Sequence, residues 1–315
     1  MAKTAFVFPG QGCQYVSMSK GFYDAYAPAR LAFEEANDSL GFDIKKLIFD
    51  GPKEELDRTE ITQPAILVAS IAALRALNAE TGFTPAFFAG HSLGEYTALV
   101  AAGALDFRDA VSLVHLRGKF MQEAVPAGVG KMCAVLGLGI DAVIEACARA
   151  SDENEVAVAA NINSPEQIVI SGHAAAVDRA AEIVLAKGAK RAISLPVSAP
   201  SHSPLMTGAA ARLREELGRV KFNGFSAPVI TNVEAAPMSD PSRTADLLTK
   251  QLISPVRWVD ITGRMKQEGV RVIVEIGPGK VLTGLVRRIE KEMNTANLNE
   301  AGDMDNVVRL LMKKP

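Results

Sequence analysis

The run Ala86-Phe87-Phe88-Ala89-Gly90-His91-Ser92-Leu93-Gly94-Glu95-Tyr96-Thr97-Ala98-Leu99 limits the folds open to this chain more than any other segment. Its first part is a short apolar run of strand length and its second part has helical spacing, which places Ser92 on a strand-to-helix turn. Gly90 and Gly94 stand where backbone segments must approach closely and a Cβ would collide. A serine on such a turn presents its hydroxyl at the end of a sheet and reads as a nucleophile. The alternative is a chance match to a five-residue pattern, and the strand and helix around it argue against chance.

The rest of the chain alternates strands and helices. Thr4 to Phe8 is a buried strand closed by Pro9-Gly10 and ending at Gln11. Helical stretches follow, one from Gln63-Pro64 to about Glu80 with proline in its first turn and apolar residues all round. Another spans Asp106 to Ala124, carries His115 and Arg117, and stops at Pro126. From Gly130 the pattern becomes strand (131–138), helix (141–150), strand (156–161), strand (167–171), helix (174–187) and strand (191–197), with Asn163 to Glu166 as the hairpin. This β-α-β-β-α-β order is that of a ferredoxin-like unit. After Pro200 the alternation resumes, with helices over 205–217, 245–252 and 259–268 and strands over 228–232 and 270–276. The expected fold is therefore α/β: an α/β-hydrolase-like core with a mainly parallel sheet (1–127 and 198–315) and an inserted ferredoxin-like small subdomain (128–197). Beyond about Thr295 the tail reads as polar and has no assigned element.

Bulk properties narrow the partners. With 34 basic and 36 acidic residues the formal net charge is −2, so no global field gathers nucleic acid or an anionic membrane. Cys13, Cys133 and Cys147 are widely spaced and form no cluster of zinc spacing, so reduced thiols and no metal are expected. The opening residues are too brief for a signal peptide or a membrane span, which suggests a cytoplasmic protein. The lack of a long amphipathic seam favours a monomer.

A serine nucleophile needs a base, and the chain offers His91, His115, His173 and His202. His91 adjoins the nucleophile on a tight turn and should point elsewhere, His115 lies inside a helix, and His173 opens one. His202 sits in a loop of small residues and prolines, Val197 to Pro204, and is the base candidate, against the alternative of a solvent-exposed loop histidine. No Asp or Glu stands out to orient it, so the third member stays open. An oxyanion hole on such a turn uses the N–H of Leu93 and one from an earlier strand-end loop, here Gln11. The alternative for Pro9-Gly10-Gln11-Gly12 is a plain turn; it lacks the further glycine or Gly-Lys-Ser/Thr of nucleotide-binding loops.

Seven ordered segments, FVFPGQG (6–12), TQPA (62–65), GHSLGEY (90–96), RGKFMQEAVP (117–126), NSPEQIVISG (163–172), VSAPSHSPLM (197–206) and EIGPGKVLTGL (275–285), resemble the malonyl-CoA:acyl carrier protein transacylases of fatty acid synthesis and, more widely, polyketide acyltransferase domains. The resemblance implies a malonyl ester on Ser92, His202 as base, and the backbone carbonyl of Gln251 as acceptor of the imidazole N–H. It implies Arg117 as the clamp for the malonyl carboxylate, where a guanidinium fork suits the anion. Met121 and Asn161 would line the acyl pocket. Ser201, just before the base, and Leu93 point to malonyl rather than methylmalonyl. Substrate and partner would be malonyl-CoA and acyl carrier protein, with no cofactor. A basic patch for the acidic carrier could include Lys187, Lys190, Arg191, Arg287, Arg288 and Lys291. Cys13 replaces the serine common in relatives, which could make activity thiol-sensitive. Rival readings are a polyketide-type acyltransferase with another acyl preference, a serine thioester hydrolase, and an idle docking subunit.

Overall fold

The computed structural model describes residues 3–126, 128–197 and 199–312. Ten strands form two sheets: β1 (Lys3–Phe8), β2 (Phe87–Gly90), β3 (Gly130–Leu136), β4 (Ala157–Ser164), β5 (Gln167–His173), β6 (Arg191–Ser194), β7 (Val229–Ile230), β8 (Pro237–Met238), β9 (Val270–Ile276) and β10 (Asn294–Leu298). The larger sheet has the order β10-β9-β1-β2-β7-β8 and is parallel except for β8, which runs against β7. Apolar clusters on both faces account for the near-continuous burial of its central strands.

Register fixes where chemistry can occur. Phe8 of β1 pairs with Gly90 of β2, so Pro9-Gly10-Gln11 and His91-Ser92 leave the sheet side by side at its carboxyl edge. Asn232 follows β7 and Gly277 follows β9 at the same edge, the edge at which parallel sheets bind ligands. The turn after β2 is tight enough to require its glycines. A Cβ on Gly90 would stand 1.9 Å from the Gly94 carbonyl, and one on Gly94 would stand 2.1 Å from the Phe8 carbonyl oxygen.

The smaller sheet, order β4-β5-β3-β6, is antiparallel throughout, with helices Ile140–Ala150 and Ala174–Ala186 packed on one face. This is the ferredoxin-like arrangement expected from the element order. It joins the larger unit through a short parallel bridge, in which Ile162 N–H donates to the Val256 carbonyl and Val256 N–H to that of Ala160, both at 2.9 Å. The expected boundaries of this unit fall at Ala127 and Ser198, which lie outside the described residues.

Two expectations need correction. The long apolar helix runs Thr59–Thr81, so Pro64 lies inside it and not in its first turn. Proline supplies no N–H for the carbonyl of Glu60, four residues earlier. His115 Nδ1, on helix Phe107–Glu123, lies 2.9 Å from that oxygen and takes up the unused acceptor. The two helices cross with main-chain contact: a Cβ on Gly118 would stand 2.6 Å from Thr59 O. Thr59–Thr81 is the one described helix long and apolar enough to cross a membrane, and 89% of its most apolar window is buried inside the fold. The second correction is the tail. It forms β10, parallel to β9, and helix Met304–Met312, which buries Met304, Val307 and Leu311. As an edge strand β10 buries only Ala296 and Leu298, too few apolar positions to stand out in sequence.

Candidate active site

Ser92 adopts a left-handed backbone conformation, φ +51°, at a cost of about 1 kcal/mol for a residue with a Cβ. Two bonds from one side chain hold it there. Ser92 N–H donates to Asn232 Oδ1 at 2.7 Å, and Asn232 Nδ2 donates to the Gly90 carbonyl at 2.7 Å. The hydroxyl is aimed at His202, with Oγ 2.8 Å from Nε2.

His202 is itself left-handed, φ +60°, and buried. Its Nδ1 faces two carbonyls, Gln251 O at 2.8 Å and Ser254 O at 3.1 Å. Two acceptors at Nδ1 place the proton there, leaving Nε2 to accept from the serine hydroxyl. Burial, and then the nearby Arg117 charge, hold the imidazole down at about 3, although both carbonyls favour its charged form. The ring is neutral at physiological pH.

Arg117 is 1% exposed. Its Nη1 donates to Gln63 Oε1 at 2.7 Å, and its Nη2 donates to Ser92 Oγ and to Gln251 Oε1, each at 3.1 Å. All these acceptors are neutral, and among the described residues its buried Nε has no partner. The guanidinium lies 5.5 Å from the Tyr96 ring centroid. A charge this deep without an anion bonded to it is costly unless a ligand supplies one. Glu95, also buried, is one layer back. Its Oε2 accepts from Gln251 Nε2 at 2.7 Å and from Asn232 N–H at 3.1 Å, and burial pushes its carboxyl up to about 7.

Ser92, His202 and Arg117 line a cleft of about 260 Å³ between the two sheets, with Gln63, Glu95, Asn232 and Gln251 buried behind them. Gln11, Leu93, Met121, Asn161 and Ser201 all border it. Neither the Gln11 nor the Leu93 backbone N–H makes a hydrogen bond among the described residues. Met121 is buried, with its sulfur 3.4 Å from Gln63 Nε2, and Ser201 Oγ donates to Ala199 O.

The basic residues stand outside the cleft. Register puts Arg191 beside Leu136 and Leu136 beside Gln167, and Arg288 Nη1 donates to Gln167 Oε1 at 2.7 Å. Lys190, Arg191 and Arg288 thus share one end of the smaller sheet, about 10 Å across at two strand spacings. Arg287 donates to Thr295 Oγ1 and Lys187 pairs with Glu145.

Cys13 borders the cleft, but its thiol donates to the Gly10 carbonyl, and burial together with the Glu275 charge pushes its pKa up. Burial of this kind disfavours the thiolate. The remaining histidines have framework places. His91 Nε2 meets Asn163 Oδ1 at 2.8 Å, linking the two units, and His173 Nδ1 accepts Val156 N–H at 3.0 Å. Sequence reasoning missed Asn232, Glu95, Gln63 and the Ser254 carbonyl. Only Asn232 carried a signal, as the residue at the carboxyl end of a parallel strand.

Comparison with known proteins places this geometry. Residues 5–311 match the family described as acyl transferase domain. The chain is 47% identical over 310 residues to a malonyl CoA-acyl carrier protein transacylase of Escherichia coli, covering 98% of this chain and 100% of the relative. It is 45% identical over 314 residues to one of Bacillus subtilis, covering 100% and 99%. Among solved structures it is similar to an acyl carrier protein S-malonyltransferase from Vibrio cholerae, with TM-score 0.94, 47% identity and coverage of 97% and 100%. It is also similar to the malonyl-transacylase solved in complex with a type II polyketide acyl-carrier protein, with TM-score 0.96, 41% identity and coverage of 98% and 100%.

Proposed function

Because this chain belongs to the acyl transferase domain family, we propose that it carries a malonyl group from malonyl-CoA to the phosphopantetheine thiol of acyl carrier protein through an ester on Ser92. The observation that carries the reading is Arg117: a buried guanidinium, bonded among the described residues only to neutral groups, whose Nη2 stands 3.1 Å from the nucleophile's oxygen. A hydroxyl beside a buried cation with no carboxylate bonded to it among the described residues suits an acyl group that brings its own carboxylate.

His202 Nε2 takes the Ser92 proton as Oγ attacks the thioester carbonyl of malonyl-CoA. The N–H groups of Gln11 and Leu93 receive the oxyanion. Collapse breaks the C–S bond, and the imidazolium returns its proton to the departing CoA thiolate. In the second half the carrier's thiol gives its proton to His202, its sulfur attacks the malonyl ester, and Ser92 leaves as the hydroxyl. The Gln251 and Ser254 carbonyls keep the imidazole in one tautomer through both halves, doing part of what a carboxylate does in other triads. Met121, Asn161 and Ser201 shape the pocket around the malonyl methylene, and the basic groups near Arg288 receive the acidic carrier. None of these steps calls for a metal or a tightly held cofactor. A monomer in the cytoplasm completes the proposal, the assembly state being read by sedimentation equilibrium.

The test is intact-mass analysis after incubation with malonyl-CoA. One malonyl added to wild type and none to Ser92→Ala is the expected result. No adduct on wild type, or an adduct that persists in Ser92→Ala, refutes the reading. Repeating the incubation with acetyl-CoA and methylmalonyl-CoA measures acyl preference.

A further inference from the structure

The nucleophile's turn is held by a side chain that takes no part in the proton transfers. Asn232 follows β7, on a segment remote in sequence from Ser92, and is fully buried. Its amide bonds to the turn at two points, accepting Ser92 N–H at Oδ1 and donating to Gly90 O from Nδ2, each at 2.7 Å. Its own backbone N–H is held at 3.1 Å by Glu95 Oε2, the oxygen that also receives Gln251 Nε2 at 2.7 Å. Gln251 in turn presents its carbonyl to His202 and its Oε1 to Arg117. One carboxylate oxygen thus ties together the segments that carry nucleophile, base and clamp.

From this geometry we infer that Asn232, anchored by Glu95, is a positioning residue that splints the nucleophile turn in its left-handed conformation; the inference rests on the reading of Ser92 as the acylated residue. Ser92 at φ +51° lies in a region that residues with a Cβ rarely adopt. Released, the turn relaxes toward ordinary backbone angles and carries Oγ off the line to His202 Nε2. The splint also decides which amide is free. Ser92 N–H is consumed by Oδ1, so Leu93 N–H is the amide of the turn left without a partner among the described residues. The amide of Asn232 is matched to this task by polarity, because the turn offers one donor and one acceptor, and a carboxamide supplies one acceptor and one donor.

That polarity makes the inference testable apart from any loss of folding. Asn232→Ala removes both bonds. Single-turnover acylation followed by intact mass should show kcat lowered by about 100-fold, the usual consequence of an ångström-scale misplacement. KM for malonyl-CoA and the ratio of malonyl to acetyl loading should hold, because Arg117 is not a direct partner of Asn232. Asn232→Asp keeps the acceptor toward Ser92 N–H but turns a carboxylate oxygen on the Gly90 carbonyl. Only the protonated acid restores a donor there, so the variant-to-wild-type ratio of kcat should rise as pH falls from about 8 to about 5.5, burial and a neighbouring carboxylate lifting the new group into that range. The charged or titratable groups around this position are Glu95 behind it, His202 and Arg117 across Ser92, and His91 in the turn. They are common to both proteins, and taking the ratio removes them.

A folded Asn232→Ala with kcat within threefold of wild type overturns the inference. So does a pH-independent ratio for Asn232→Asp, or a loss confined to KM. Wild type run alongside separates the two levels of argument: if it gains no malonyl, the functional reading falls, and if it does while the variants behave as wild type, the splint alone falls.

Discussion

The two walls of the cleft are built on different principles. The wall on the parallel sheet presents Ser92, His202 and Arg117 to the cleft, and these are backed by a buried polar network in which Gln63, Gln251, Glu95 and Asn232 make hydrogen bonds of 2.7–3.1 Å. The wall on the smaller sheet is mostly apolar, with Met132, Ala134, Val169, Leu195 and Val197 facing the cleft and Asn161, Asn163 and Gln167 as its polar members. The walls meet at the Val256 bridge, at His91–Asn163 and at Arg288–Gln167. Bond making is thus confined to one wall, while the other supplies shape and access. Buried polar networks tolerate little change, since each lost partner strands another group, whereas apolar surfaces can repack.

Substitutions on each wall can break or sharpen this contrast. The largest effect is expected for His202→Ala, which should lower kcat for malonyl transfer by about 10³-fold, the contribution of a positioned base, with KM for malonyl-CoA little changed. Arg117→Ala comes next. Steady-state kinetics should show malonyl loading losing about 2–4 kcal/mol of transition-state binding while acetyl loading holds or improves. Equal losses for the two acyl groups would mean that Arg117 holds the wall together and does not read the carboxylate.

Acid titration probes the same wall through stability. His202 is held at about 3, below its ordinary value near 6.5, so the folded state resists its protonation and stability from this group falls as pH drops below 6.5. Glu95 is raised to about 7, so the stability it contributes is complete below about 4.5 and is lost as pH climbs through 7. The slopes oppose each other. Urea denaturation at pH 5 and pH 7 should show Glu95→Gln losing about 2 kcal/mol in acid and His202→Gln gaining a similar amount, with wild type flatter than either.

Smaller effects belong to the opposite wall. Asn163→Ala, which removes the bond to His91 across the cleft, should cost about 1 kcal/mol in urea denaturation and leave kcat close to wild type. A large drop in kcat instead would give the second wall a direct share in the chemistry. Arg287→Gln with Arg288→Gln should do least, raising KM for acyl carrier protein only at low ionic strength while malonyl-CoA loading is unaffected, because exposed charges act mainly on encounter and are screened by salt.

What the chain disclosed beforehand follows the same division. The turn around Ser92, the β-α-β-β-α-β run and the strands of the parallel sheet were legible because local pattern dictates them: glycines where main chains touch, apolar runs at buried strands, and period changes at helices. Arg117 was legible only through its resemblance to a family, since a helical arginine is ordinarily a surface residue. Glu95 and Asn232 were not read as part of the site, because each does its work through contacts more than 130 positions away in sequence. The start of the long helix was misplaced for a related reason. Pro64 signals a first turn unless another helix supplies a donor for the carbonyl it leaves free, and His115, 55 residues from Glu60, is that donor.

That crossing of helices Thr59–Thr81 and Phe107–Glu123 also bears on what the cleft can hold. One helix carries Gln63 and the other carries Arg117 and Met121. They meet backbone to backbone at Gly118 and are pinned at the Glu60 carbonyl. The spacing of the two helices that carry the pocket's charged end is therefore set by main-chain contact, which has no rotamers to yield. A longer acyl group can gain room there only from side chains such as Met121, because widening the gap between the two helices would break the main-chain contact at Gly118.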